Sequence, residues 1–316
     1  MSPRVNVLIY NPDRTAAYVD LLTKRAPELR LLVCESEADV ARSIKDADVL
    51  FVSTKFPTRY VQLATRVRWI QAMGAGVERF AKDMRIPDSI AFTRVNTGFG
   101  EKISEYVLGY MLARTQRMRD VVGHQQAKRW EPLDCSWLYG ETLGVAGVGA
   151  IGGAIARKAR AFDMHVIGFD LIPRDDPAIE TCYGFQQLLE FVSRPRFISI
   201  SLPLTSQTEG LFDLGVFEAM RADSILINTA RGGVVREADL IDALQRGVIG
   251  GAVLDVFEQE PLAPDSPLWE MENVIITPHH AGPSVPDEMV AFFLDNLDRW
   301  QRGATMHGVV DREKGF

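Results

Sequence analysis

Short β-branched runs alternate with helix-period stretches along most of this chain, and that alternation limits the fold more than any other feature. A strand, a helix and a second strand close into a right-handed crossover with the strands parallel. A long series of them predicts parallel sheets with helices on both faces. In the N-terminal third, strands are expected over 5–10, 29–33, 49–53, 69–72 and 91–95, with helices over 15–25, 38–44, 58–65 and 77–84. One long helix is expected over 101–128, with Ile103, Val107, Leu108, Met111 and Leu112 on its apolar side. A segment containing Trp130 and Pro132 follows, and then the alternation resumes more strictly. Its strands are expected over 143–146, 165–169, 197–201, 225–228, 252–254 and 274–276, with helices over 151–161, 185–192, 215–220 and 237–245. Six such strands make a complete dinucleotide-type sheet. A last helix over 287–302 follows the turn Pro283-Ser-Val-Pro286, where the chain is expected to return to the first unit.

Two domains suit 316 residues, at roughly 100–200 residues per domain. With 47% apolar and 24% charged residues, disorder is not expected. The net charge of −7 speaks against a nucleic-acid or anionic-membrane partner, which needs clustered positive charge. Cys34, Cys135 and Cys182 form no C-x-x-C pair and are expected as free thiols in a reducing compartment. No apolar run approaches the ~18 residues of a spanning helix. The residues before the first strand are too short for a signal peptide. The expectation is a soluble cytoplasmic protein.

Gly147-Val-Gly149-Ala-Ile-Gly152 follows the strand at 143–146 and opens the next helix. Gly147 suits a tight turn, Gly149 a close approach of the backbone to a pyrophosphate, and Gly152 close helix–strand packing. The backbone of Ala150 and Ile151 at the helix start offers N–H groups to phosphates. Asp170 ends the second strand of this unit, where a carboxylate accepts both ribose hydroxyl protons and repels a 2′-phosphate. NAD(H) is therefore expected over NADP(H), which Arg174 four residues on keeps possible.

Ligands of open parallel sheets sit outside the carboxyl ends of the strands. The expected third strand of this unit ends in Leu202-Pro203-Leu-Thr205, with Thr208 just beyond, and the fourth in Asn228-Thr229-Ala230-Arg231-Gly-Gly. The fifth ends in Asp255 and leads to Glu260, and the sixth ends in Thr277-Pro-His279-His280. Arg231, Glu260 and His279 thus converge on one edge. A guanidinium clamps a carboxylate and its neighbouring carbonyl at two points. An imidazole gives a proton to a carbonyl oxygen as hydride arrives and takes it back in reverse. A Glu beside it would hold the ring and favour its charged form. Together the three describe reduction of a 2-keto acid to a 2-hydroxy acid. Adjacent His279 and His280 diverge, so at most one serves, and without ligand-spaced carboxylates or thiols no metal site is expected. His124, His165 and His307 are expected to be structural, and Met289, Phe292, Phe293 and Trp300 of the last helix to be packing residues.

The combined pattern resembles the D-isomer-specific 2-hydroxyacid dehydrogenases over essentially the whole chain. The matching pieces are Met73-Gly-Ala75-Gly76-Val77, the 147–152 loop with Asp170, Leu202-Pro-Leu-Thr205, Asn228-Thr-Ala-Arg231-Gly-Gly, Leu254-Asp-Val-Phe-Glu-Gln-Glu260-Pro and Thr277-Pro-His279. The resemblance implies a flavodoxin-like substrate domain split into 1–98 and 284–316, with a Rossmann-type cofactor domain, 99–283, inserted in it. It implies Arg231 as the substrate-binding arginine, Glu260 as the acid paired with histidine, and His279 as the general acid/base. Leu202, Pro203, Thr208, Thr229, Ala230 and Asp255 would line the cofactor, and the backbone at Ala75, Gly76 and Val77 would cradle the substrate carboxylate.

Within the family the glyoxylate/hydroxypyruvate reductases are most similar, through 73–77, Gly100-Glu101 with Glu105-Tyr106, Trp130-Glu-Pro132 and the C-terminal 310–316. Several members of that subgroup carry basic or polar residues after the second strand and prefer NADPH, whereas this chain has Phe169-Asp170. His280 stands where a smaller apolar residue is more usual. No regulatory domain of the long phosphoglycerate dehydrogenases is expected after residue 316. In the related reductases a tryptophan of the connecting segment reaches the neighbouring subunit's active site, so a homodimer is expected, with Trp130 as a substrate-side residue. A dehydrogenase-like corepressor that senses NAD(H) is the alternative of another class, separated from the enzyme by steady turnover of a 2-keto acid.

Overall fold

The computed structural model describes residues 4–77, 80, 83 and 86–311, and the chain divides into two compact units. The first comprises Met1–Thr97 and Ser284–Phe316, the second Gly98–Pro283.

The first unit is built on five parallel strands, β1 (Asn6–Tyr10), β2 (Arg30–Cys34), β3 (Val49–Val52), β4 (Trp69–Ala72) and β5 (Ala91–Thr93). Their order, β2-β1-β3-β4-β5, is flavodoxin-like. β1, β3 and β4 are buried at every position, as strands must be when helices cover both faces of a sheet, and the polar Asn6 of β1 and Gln71 of β4 are buried with them. The helix Pro286–Gln301 belongs to this unit. Its Phe293 ring stacks on Phe51 and Trp69, with centroids at 4.5 and 5.3 Å. Its Asn296 amide donates to Gln71 Oε1 and to the His307 carbonyl, both at 3.0 Å. Met289 and Phe293 are buried and Trp300 tilts against Trp69, so the aromatic residues of this helix are packing residues. The segment expected as a helix over 58–65 is a 3-10 helix, Thr58–Leu63, opened by Pro57. Of the helix expected over 77–84, residues 78, 79, 81, 82 and 84 lie outside the described residues, as do 312–316.

The second unit has seven parallel strands where six were expected: β6 (Thr142–Ala146), β7 (His165–Phe169), β8 (Thr181–Tyr183), β9 (Phe197–Ile200), β10 (Ile225–Asn228), β11 (Gly251–Leu254) and β12 (Val274–Ile276). The added strand is β8. It has three residues and pairs only with Ile167–Phe169 at the sheet edge, too short to show a period of its own. The strands expected as third to sixth are therefore fourth to seventh. The order β12-β11-β10-β9-β6-β7-β8 reverses direction between β6 and β9, which is the switch point of a Rossmann sheet.

The single helix expected over 101–128 is two, Phe99–Thr115 and Met118–Gln126. The break is at Arg117, whose φ of +49° is left-handed. No Gly or Pro marks it, and the second helix buries none of its residues, so the apolar period that suggests one helix ends with the first. Among the described residues, no helix is long and apolar enough to cross a membrane.

Candidate active site

The loop after β6 turns because Gly147 does what no other residue could. Its φ is +101°, and a Cβ there would lie 2.6 Å from the carbonyl carbon of Ser201. A Cβ at Gly152 would sit 1.9 Å from the Gly147 carbonyl oxygen, so the helix Ala150–Arg160 starts directly against the turn. Gly149 is exposed and nothing lies within 4 Å of the Cβ it lacks, which leaves room over the helix N-terminus at Ala150 and Ile151. At the end of β7, Asp170 Oδ2 accepts the Val148 N–H at 2.9 Å, and its side chain is 13% exposed. Arg174 Nε stands 3.9 Å from the same oxygen. An open glycine turn, a helix N-terminus and a fixed carboxylate suit the pyrophosphate and ribose of a dinucleotide.

Across the switch point, β9 leads into Leu202 and Pro203. Leu202 is buried, and Thr208 is buried as well, its hydroxyl donating to the Pro203 carbonyl at 2.6 Å and accepting the Thr205 N–H at 2.8 Å. Thr208 thus shapes the turn with the group expected to reach a cofactor. After β10, Asn228 accepts the Ala230 N–H and donates to the Arg231 carbonyl, both at 3.1 Å. The Thr229 hydroxyl donates to Ile200 O at 3.4 Å. Arg231 follows in extended backbone, and its guanidinium donates to the Ala230 carbonyl at 2.6 Å.

β11 and β12 bring the other two expected residues together. Glu260 Oε2 lies 2.7 Å from Nδ1 of His279, and Glu260 Oε1 accepts the Phe257 N–H at 3.2 Å. The pair is open to solvent, with side chains 52% (His279) and 37% (Glu260) exposed. With Nδ1 turned to the carboxylate, Nε2 is the nitrogen left for another partner. Arg231, Glu260 and His279 follow β10, β11 and β12, three neighbouring strands, so one sheet edge carries all three.

Asp255 directly follows β11 and is only 1% exposed. Its Oδ1 accepts the Thr277 hydroxyl at 2.6 Å and the His280 N–H at 2.9 Å, and its Oδ2 accepts the Ala281 N–H at 2.9 Å. The Tyr106 hydroxyl from the helix Phe99–Thr115 lies 2.6 Å from Thr277 Oγ1, and the His280 ring meets the Tyr106 ring edge-on at 6.0 Å. Burial pushes the Tyr106 phenol above its ordinary range. The part played by Thr277 and Tyr106 was missed in the sequence. Both lie in segments that resemble the family, but their contact joins residues 171 positions apart and has no local signal.

In the first unit, 73–77 form the loop after β4. Arg94 donates to the Ala75 carbonyl at 3.2 Å, Gly76 is half-buried and Val77 is buried. Trp130 is 99% exposed. His165 and His307 have carboxylate partners that sequence proximity did not suggest, Glu180 at 3.0 Å and Asp295 at 3.3 Å, both on the surface. Among the described residues, no three His, Cys, Asp or Glu side chains are grouped to hold a metal ion.

The fold and this site define a dinucleotide-dependent oxidoreductase. The family model for the NAD binding domain of D-isomer specific 2-hydroxyacid dehydrogenases matches residues 108–281. A D-isomer specific 2-hydroxyacid dehydrogenase family protein from Aeromonas salmonicida superposes with a TM-score of 0.91 at 33% identity, over 98% of this chain and 100% of that one. The NADPH-dependent glyoxylate/hydroxypyruvate reductase of Sinorhizobium meliloti, in complex with NADP and sulfate, superposes with a TM-score of 0.90 at 28% identity, over 99% of this chain and 100% of that one. A glyoxylate reductase of Korarchaeum cryptofilum is 29% identical, covering 99% of this chain and 97% of that protein. The chain belongs to the D-isomer specific 2-hydroxyacid dehydrogenase family, whose members are NAD(P)-dependent enzymes.

Proposed function

We propose that this protein reduces a small 2-keto acid of the glyoxylate or hydroxypyruvate type to the D-2-hydroxy acid, with NADH as the favoured reductant. The observation that carries this reading is the 2.7 Å Glu260–His279 pair on the strand edge that also bears Arg231. The relatives named for glyoxylate or hydroxypyruvate reduction support the substrate class.

A reduced nicotinamide supplies the hydride. Arg231 binds the substrate carboxylate and turns the carbonyl toward the hydride. His279 holds its proton on Nε2 and gives it to the carbonyl oxygen as negative charge develops there. Glu260 keeps the ring oriented through Nδ1 and offsets the positive charge that protonated His279 carries. Gly147, Gly149, Ala150, Ile151 and Gly152 take the pyrophosphate, Asp170 the adenosine ribose, and Leu202, Pro203, Thr229 and Ala230 the nicotinamide side. Thr208 and Asp255 act from beneath, by shaping the turns those residues occupy.

The NADH preference is supported by Asp170, which the Val148 N–H holds at the end of β7, where an acid disfavours a 2′-phosphate. The Sinorhizobium relative is NADPH-dependent, and Arg174 beside Asp170 keeps NADPH usable here. The same reading includes a two-fold homodimer through the second unit. Trp130, Trp137 and Tyr139 are exposed, as are Met118, Val121 and Val122 of the preceding helix. Apolar surface on this scale marks an association surface, and Trp130 would stand near the partner's substrate.

A panel of 2-keto acids assayed with NADH and with NADPH tests the function. Steady turnover of glyoxylate or hydroxypyruvate is expected, faster with NADH. Nucleotide binding without turnover of any keto acid would overturn the enzyme in favour of an NAD(H)-sensing protein.

A further inference from the structure

The turn that carries His279 is held from behind by the Asp255 carboxylate, which has a further partner outside the proposed chemistry. His279 has a φ of +51°, a left-handed conformation that a residue with a Cβ rarely adopts without support. Its own N–H donates to the Asp255 carbonyl at 2.9 Å. The next two N–H groups, of His280 and Ala281, donate to the Asp255 carboxylate at 2.9 Å. The remaining donor to that carboxylate is the Thr277 hydroxyl at 2.6 Å.

The direction of the next bond follows from proton counting. An ionised carboxylate only accepts, so Thr277 spends its one proton on Asp255. The Tyr106 hydroxyl, 2.6 Å from Thr277 Oγ1, must therefore be the donor in that contact. The result is a directed chain, Tyr106 O–H to Thr277 O–H to Asp255 Oδ1, ending on the carboxylate that gathers the turn. Thr277 and Asp255 are both buried, where hydrogen bonds in series polarise one another.

We propose that Tyr106 is a positioning residue for the reaction: through Thr277 and Asp255 it holds the turn at 277–281 so that His279 meets Glu260. It touches neither substrate nor cofactor in this role, and the proposal rests on His279 being the proton donor. Removing the hydroxyl leaves Thr277 with an empty acceptor site and loosens the carboxylate's hold on the turn.

Tyr106→Phe, Thr277→Val and the double variant test this in a kinetic cycle. Tyr106→Phe is expected to lower kcat for keto-acid reduction about 2- to 10-fold, the range for one buried hydrogen bond. KM for the keto acid and Kd for NADH should stay nearly unchanged. Thr277→Val should cost more, and the double variant no more than Thr277→Val alone, because Tyr106 acts through Thr277. Multiplying losses in the double variant would overturn the proposal, as would a rise in KM alone or an unchanged kcat. Hydrogen exchange gives a readout that does not depend on turnover. The His280 and Ala281 amides should exchange faster in Tyr106→Phe, and unchanged protection there would also overturn the proposal. A native protein that turns over no keto acid would fail the proposed function, while the exchange result would still decide the relay.

Discussion

Nδ1 of His279 and Oε2 of Glu260 stand 2.7 Å apart, although the two residues are separated by 19 positions and follow different strands. The contact fixes the imidazole by one nitrogen and leaves Nε2 for the substrate. Glu260→Gln weakens that hold, so kcat for keto-acid reduction should fall while KM for the keto acid changes little. His279→Ala should lower kcat by about 10²–10⁴-fold. Steady-state kinetics on both variants check this, and an unchanged kcat in Glu260→Gln would point to His280 instead.

In the proposed reading, Asp170 sets the choice between cofactors through its charge. Held by the Val148 N–H, it has little freedom to turn away from a 2′-phosphate. Asp170→Ser removes the like charge, and the ratio of kcat/KM for NADH over NADPH should narrow by about tenfold or more. Arg174→Ala should act in the opposite sense and widen it. A native protein more efficient with NADPH would reverse the assignment.

Trp130 leaves its whole side chain in water in the single chain. Light scattering at micromolar concentration should give the mass of two chains. Trp130→Ala should alter KM for the keto acid in the assembled protein, since the proposed dimer would bring the partner's Trp130 near the substrate. A monomer, or unchanged kinetics for every substrate, would remove both parts of this reading.

Phe293 closes the core of the first unit by stacking on Phe51 and Trp69. Phe293→Ala leaves a cavity between two rings that the sheet cannot close. The unit should lose about 3–5 kcal/mol, the usual cost of removing a buried aromatic ring. Urea unfolding followed by tryptophan fluorescence reads it directly, because Trp69 is the stacked partner.

The fold was legible because parallel α/β architecture writes itself locally. Buried strands such as β3, and β1 after its first residue, are short apolar runs, and a helical turn follows each. The glycine loop was legible for a sharper reason. At Gly147 and Gly152 a side chain would collide with backbone, so the sequence has one residue to choose. The elements that escaped lacked such local marks: β8 is held by its neighbour alone, and the break at Arg117 arises where packing stops.

For the site, the sequence by itself determined which chemical groups stand at the strand ends, because strand order and turn residues put Arg231, Glu260 and His279 on one edge. It could not determine which atoms meet. That His279 and not His280 faces Glu260, that Thr208 turns inward, and that Asp255 spends its carboxylate on the 277–281 turn were decided only when β11 and β12 were paired. Tyr106 joined them from a helix far along the chain. The physical reason is range. Backbone conformation and steric exclusion act between neighbours in sequence, whereas a hydrogen bond depends on ångström-scale distances that the packed core alone sets.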